Sequence, residues 1–225
     1  MTPSSVIRKT GKAEEKTDMP ACFITVEGIE GAGKSTQIER MHAWLLEHGH
    51  DVILTRQPGG TPLAEKMRDL LLDRRNSALS PKAELLLVFA AREQFVDELV
   101  RPALARDRTV LCDRFTDSTY AYQGGGRGMN LHDLAALETF VHGDLQPDLT
   151  ILLDIPIEVG LARAAQRGEA DRFEIEDQAF FERVREAYLI RASRFTERFA
   201  VINASGDPDT VWKAVCQVLE SRVGG

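Results

Sequence analysis

One stretch early in the chain carries the most explicit chemistry: Gly28-Ile29-Glu30-Gly31-Ala32-Gly33-Lys34-Ser35, followed by Thr36. It satisfies G-x-x-x-x-G-K-[ST] at every fixed position. Glycines at 28, 31 and 33 let the backbone curl closely enough for successive N–H groups to face one anion. The helix that begins beside them contributes the positive end of its dipole. A lysine at 34 can reach the β- and γ-phosphates of a nucleoside triphosphate, and the Ser35 hydroxyl suits Mg²⁺. Gly28, Gly31, Ala32, Gly33, Lys34, Ser35 and Thr36 are therefore the expected nucleotide-binding set. The pattern specifies a phosphate donor and leaves the acceptor open.

Three further groups of charges could complete a site. Asp113-Arg114 closes the apolar run Thr109-Val110-Leu111-Cys112, which puts an acid and a base together at a strand tip. Asp113 there could hold Mg²⁺ and Arg114 a phosphate, or the two could form a local ion pair. Arg92 falls inside the apolar stripe Leu85, Val88, Phe89, Phe95, Val96 and Leu99. A guanidinium on a buried face needs an anionic or polar partner, either a ligand or a core carboxylate. Arg163, Arg167 and Arg172 surround Gly168 in a polar segment. It reads either as a lid bringing cations to a transferring phosphoryl group or as a solvated loop. Tyr120-Ala121-Tyr122-Gln123 could stack on a base and read its edge, and the glycines after it predict a flexible loop.

These residues need a frame, and the chain alternates apolar runs with helical periodicity. Strands are expected at 22–26, 51–55, 109–112, 149–154 and 199–203. Helices are expected over Ile38, Met41, Trp44 and Leu45 through His48, from Pro62 to Asp73, Lys82 to Leu104, Asn130 to Val141, after Pro156, from Phe180 to Arg194 and from Asp209 to Val218. Alternation of this kind implies an α/β fold, a mainly parallel sheet in three layers with right-handed crossovers. At 225 residues with 43% hydrophobic content, the chain can bury one substantial core. A net charge of −7 argues against a nucleic-acid surface. Cys22, Cys112 and Cys216 show no metal-ligand spacing, and Cys22 and Cys112 fall in expected strands, which suits reduced thiols in the cytoplasm. No apolar run is long enough to span a membrane. Residues 1–19 read as a disordered extension, and residues 20–225 as a single domain with a lid near 163–174.

From Cys22 to Val218 the chain resembles bacterial thymidylate kinases, within the nucleoside monophosphate kinases of the P-loop fold. The resemblance is carried most specifically by Leu111-Cys112-Asp113-Arg114-Phe115-Thr116-Asp117-Ser118-Thr119-Tyr120-Ala121-Tyr122-Gln123. Thr55-Arg56-Gln57-Pro58-Gly59-Gly60 resembles the family's T-R-E-P-G-G, and Glu30 and the arginine-bearing lid resemble the bacterial type. The resemblance implies a five-stranded parallel sheet and transfer of the γ-phosphoryl of ATP to dTMP, with Mg²⁺, in a homodimer. It implies that Arg92 and Gln123 read the thymine edge, with Thr119 and Tyr122 lining that pocket. Arg56, Arg68 and Arg114 would hold the acceptor phosphate, and Glu30 would sit near the sugar and the lid. Arg167 is the first choice for the transition-state cation, supported by Arg163 and Arg172, because Gly31 stands where another type carries its arginine.

Three positions depart from the family pattern. Gln57 replaces a usual Glu beside the expected phosphate and metal site. Val88 stands where a Phe would stack on the base, and Phe89 is turned about 100° away. Ala165 replaces a lid arginine found in some relatives. The Gln57–Pro58 bond is expected to be cis. Competing readings are a kinase for another monophosphate or a deoxynucleoside, a regulatory GTPase, and a non-catalytic nucleotide-binding module. The GTPase reading requires D-x-x-G and N-K-x-D elements, and the chain has neither.

Overall fold

Five parallel strands form the centre of the computed structural model, which describes residues 20–76, 78–166 and 172–224. β1 (Phe23–Glu27), β2 (Val52–Arg56), β3 (Thr109–Asp113), β4 (Leu149–Asp154) and β5 (Phe199–Asn203) lie in the order β2-β3-β1-β4-β5. β1 is buried at every position and β4 at all but its last, as expected of parallel strands covered on both faces. The edge strands β2 and β5 mix buried with exposed positions. Alternate residues of one strand enter different cores. Ile24, Val26 and Leu111 join one large cluster, while Phe23, Val110 and Cys112 join a second with Phe95, Val100 and Phe115. That division is the three-layer architecture expected from the alternating pattern.

The helices follow in order: α1 (Lys34–Glu47), α2 (Pro62–Leu72), α3 (Pro81–Phe95), α4 (Arg101–Leu104), α5 (Thr116–Thr119), α6 (Leu131–His142), α7 (Ile157–Ala164), α8 (Gln178–Arg194) and α9 (Pro208–Arg222). Their starts follow local chemistry. Thr61 and Ser80 accept from backbone N–H groups three residues on, each with proline at the first helical position. The helix expected over 82–104 is continuous but not uniform. A π-helical stretch, Val96–Val100, joins α3 to α4.

One expectation fails. The glycine run after Tyr122 is no loop: Tyr120–Gly126 is π-helical and continues α5. It lies tightly against α8, and a Cβ on Gly125 would meet Arg183 O at 2.6 Å and Ala187 Cβ at 2.7 Å. The glycines serve close packing between helices, and this overrides their low helix propensity. Two smaller differences concern ends. α9 runs on to Arg222, and half-buried Cys22 precedes β1 instead of lying in it. The proposed extension, 1–19, lies outside the described residues. Among the described residues no helix is long and apolar enough to cross a membrane.

Gly125→Ala should gain about 1 kcal/mol of helix propensity and lose more to overpacking against a backbone oxygen, ~1–3 kcal/mol. Chemical denaturation is expected to show a net loss of stability, and a more stable variant would show that the α8 contact gives way.

Candidate active site

The sheet's C-terminal edge gathers the charged residues, because β1, β2 and β3 all end there. Between β1 and α1 the chain turns through Gly31 at φ 74° and Gly33 at φ 88°. A Cβ on Gly31 would lie 2.1 Å from Gly160 O of α7, so glycine is required there. The Lys34 ammonium folds over the loop and donates to Gly28 O and Ile29 O, each at 3.0 Å. Burial, with Arg114 nearby, lowers it to about 8.

Three cavities border this loop. The first, about 560 Å³ of space that opens to solvent, is lined by Glu30, Gln57, Arg68, Val88, Arg92, Arg114, Thr119, Tyr122, Gln123 and Phe173. The second brings Ser35 and Asp113 together with Arg56 and Glu65. The third joins Gly31, Ala32, Gly33 and Thr36 to Arg163 and the turn before α9.

In the first cavity Arg114, at φ 69°, donates to Glu30 Oε1 at 2.9 Å and to Tyr188 OH at 3.1 Å. The Tyr122 hydroxyl donates to both Glu30 oxygens at 2.7 Å. Arg92 is fully buried, and among the described residues no carboxylate pairs with it. Its Nη2 donates to Gln57 Oε1 at 2.9 Å, Thr119 Oγ1 at 2.7 Å and Phe115 O at 3.4 Å. Its Nε and Nη1 have no partner among the described residues, so acceptors from a ligand would complete it. Burial lowers its guanidinium to about 10. Arg68 is held by Pro58 O at 2.9 Å.

Two departures acquire a physical meaning. Gln57, expected beside the phosphate and metal site, lines the first cavity with Arg68 and Arg114 and contacts Arg92. The Gln57–Pro58 bond is cis, as expected. Val88 lines the cavity, while Phe89 turns into a separate cluster with Leu85, Tyr120 and Leu134 and supports the Arg92 guanidinium at 4.8 Å. The aromatic surfaces in the cavity wall are Tyr122 and Phe173, with ring centroids 5.8 Å apart.

In the second cavity Asp113 Oδ1 is buried without a hydrogen-bond partner among the described residues. An orphaned carboxylate oxygen in a cavity shared with the Ser35 hydroxyl fits a divalent cation. Among the described residues no group of three or more His, Cys, Asp and Glu side chains gathers at one point. That suits Mg²⁺, which commonly takes one or two protein ligands and completes its shell with phosphates and water. Arg56 sits here, 2.8 Å from Glu65, and not in the first cavity with Arg68 and Arg114.

The lid arginines separate. Arg163 donates to the carbonyls of Ala204, Ser205 and Gly206 and lines the third cavity. Arg172 is buried, pairing with Glu84 at 2.5 Å and donating to Leu71 O at 2.8 Å. Neither lines the first cavity, and the described ends of the segment are anchored, not solvated. Arg167 lies outside the described residues. Sequence reasoning overlooked Glu27, Tyr188, Glu84 and Phe173. Glu27 accepts from Phe115 N at 2.7 Å, Ser118 Oγ at 2.6 Å and Tyr188 OH at 2.7 Å. An acid in an otherwise apolar strand was the available signal.

A parallel sheet, a glycine loop opening α1 and an arginine-walled cavity beside that loop define a P-loop phosphotransferase. The family model described as thymidylate kinase matches residues 26–215. A thymidylate kinase of Pseudomonas putida (strain F1) is 57% identical over 201 residues, covering 89% of this chain and 96% of that protein. One from Pseudomonas putida (strain W619) is 58% identical over 197 residues, covering 88% and 95%. The crystal structure of thymidylate kinase from Ehrlichia chaffeensis superposes with a TM-score of 0.75 at 33% identity, covering 89% of this chain and 99% of that one. The chain belongs to the thymidylate kinase family.

Since the Lys34 ammonium is lowered to about 8, it is charged below that pH and neutral above it. Titration calorimetry is expected to show ATP affinity falling by up to about tenfold per unit as pH rises past that value. Lys34→Arg should remove this inflection; its persistence would assign the proton to another group.

Proposed function

We propose that the cavities around the loop are the donor and acceptor halves of one phosphoryl-transfer site. The reaction is the family's: the γ-phosphoryl of ATP passes to dTMP, giving dTDP. The observation that carries the division is the position of Glu30. It belongs to the phosphate loop, yet it closes a wall of the first cavity through Arg114 and Tyr122. A group held by the loop and a group held in that cavity therefore meet across one side chain.

On the donor side, the loop N–H groups from Gly28 to Thr36 cradle the phosphates, and Lys34 exchanges its two loop carbonyls for the β- and γ-oxygens. The third cavity, braced by Arg163, takes the base and sugar of ATP. Ser35 and Asp113 would hold Mg²⁺, which neutralises charge on the transferring phosphates. On the acceptor side Arg68 and Arg114 hold the dTMP phosphate. Arg56 can reach the same phosphate by releasing Glu65, an exposed pair of little net stability, ~0–1 kcal/mol. Arg92 and Gln123 face the thymine edge, and Thr119 and Tyr122 fix the pocket walls. In-line transfer then needs alignment and charge neutralisation more than covalent help. Arg167 supplies the transition-state cation, since Arg163 and Arg172 are both engaged elsewhere. Free cysteines, one of them buried in β3, suit a cytoplasmic enzyme, and the family resemblance supports a homodimer.

ADP formation measured side by side with dTMP, dUMP, dGMP and thymidine is expected to be fastest with dTMP and negligible with thymidine, which gives the arginines no phosphate. Faster turnover of dGMP or thymidine would overturn the acceptor assignment. Arg167→Ala is expected to lower kcat by on the order of 10³ while the KM for dTMP changes little. Unchanged turnover would move that role to Arg163 or Arg172.

A further inference from the structure

Glu84 lies on α3, eight positions before Arg92, and is almost completely buried. Its carboxylate is the meeting point of three segments. Oε1 accepts from Gln123 Nε2 at 2.8 Å and from Arg127 Nε at 3.4 Å. Oε2 accepts from Arg172 Nη2 at 2.5 Å and from Arg127 Nη2 at 3.3 Å. Gln123 lines the first cavity, and Glu84 does not.

We propose that Glu84 is a positioning residue for base selection, locking the Gln123 side-chain amide in the one orientation that presents its carbonyl oxygen to the base. This rests on the reading of Gln123 as a contact to the thymine edge. An ionised carboxylate has no proton to donate, so it can take the NH₂ end of an amide and never the oxygen end. The flipped orientation would set Gln123 Oε1 against a buried carboxylate oxygen, two acceptors facing each other out of reach of water. Gln123 Oε1 is thereby left for the cavity as an acceptor. Arg92 Nη1, unpartnered in the same wall, is a donor. An acceptor beside a donor complements N3–H and O4 of thymine or uracil. Cytosine presents the reverse, a lone pair at N3 and N–H groups at C4. Arg127 and Arg172 hold the Glu84 charge in place, so the segment that follows 167–171 is tied to the same carboxylate that orients the base contact.

Glu84→Gln conserves shape but can donate or accept, so it no longer dictates the Gln123 orientation. Steady-state kinetics with dTMP and with dCMP on Glu84→Gln, Gln123→Ala and the double variant separate the possibilities. Glu84→Gln is expected to raise the dTMP KM at least about tenfold with kcat and the ATP KM close to wild type, and to lower the dTMP:dCMP ratio of kcat/KM by a similar factor. In the Gln123→Ala background the same substitution should add less than about twofold. If Gln123→Ala leaves the dTMP KM unchanged, the reading of Gln123 as a base contact fails. If Gln123→Ala raises the KM but Glu84→Gln alters neither KM nor the ratio, the positioning role fails. An equal loss for both nucleotides, or the same loss with and without Gln123, would make Glu84 structural only and also overturn it. Should Glu84→Gln not fold, ¹⁵N spectra of the wild-type enzyme decide the question. The Gln123 side-chain NH₂, assigned by its absence in Gln123→Ala, should exchange slowly with solvent with and without dTMP, and rapid exchange would refute the lock.

Discussion

The buried Glu27 carboxylate is the constraint on which the site depends. It ends β1 and binds across to the chain leaving β3, through Phe115 N and Ser118 Oγ, and to α8 through the Tyr188 hydroxyl. Burial, and then the charge of Asp117, raise its pKa, so these donors, with Arg114 nearby, are what offset the cost of keeping a charge there. The register of β1 on β3 places Val26 opposite Asp113, which brings the β3 tip level with the start of the glycine loop. Arg114 then leaves the strand in a left-handed conformation that turns it toward Glu30. The Glu27 carboxylate thus sets the distance between the glycine loop and Arg114.

The charges at this edge differ in how firmly they are held before substrate arrives. The Arg114–Glu30 pair is largely shielded, with side chains 17% and 12% exposed, and is reinforced by Tyr122 and Tyr188. Arg56–Glu65 is 54% and 35% exposed, so its attraction is screened by solvent. The second pairing is open to solvent, whereas the first forms part of the cavity wall. Arg92 is a third kind: buried, charged, and satisfied at one nitrogen only. Its stacking between the Phe89 and Phe115 rings, at 4.8 and 5.3 Å, tolerates that charge while leaving its remaining donors uncommitted.

Most of this arrangement was legible in the sequence where the signal was local. The strand–loop–helix opening, the parallel order implied by alternating elements, the acid and base at the tip of β3 and the polar intruder at Arg92 each declare themselves within a few residues. What escaped depends on partners far along the chain. Arg172 read as part of a polar lid because its neighbours are polar, yet its environment is set by Glu84, 88 positions away. Gly124–Gly126 read as a loop from composition, and α8 made it helical by offering a surface that only glycine can approach. Gln57 was placed beside the phosphate and metal site by the family pattern, and its pairing with Arg92 on α3 was not foreseen. Local pattern identifies the element that carries a group, and packing between distant elements decides which way the group faces.

The same distinction bears on where the catalytic cation must come from. A side chain at position 31 would collide with Gly160 O at 2.1 Å, and a side chain at Gly160 would meet Glu30 O at 2.7 Å. Two backbones therefore touch where the glycine loop crosses α7, and neither position can accept an arginine without separating them. That contact also attaches α7 to the loop, so the chain beyond Ala164 starts from a point fixed relative to the phosphates. Arg163, at the end of α7, is drawn to the carbonyls of the turn before α9 and stiffens the start of the segment. Arg172 is drawn to Glu84, which in turn holds Gln123 of the first cavity's wall. Position 31 is thus closed to an arginine, and the two arginines that flank 167–171 are both committed to carbonyl and carboxylate partners.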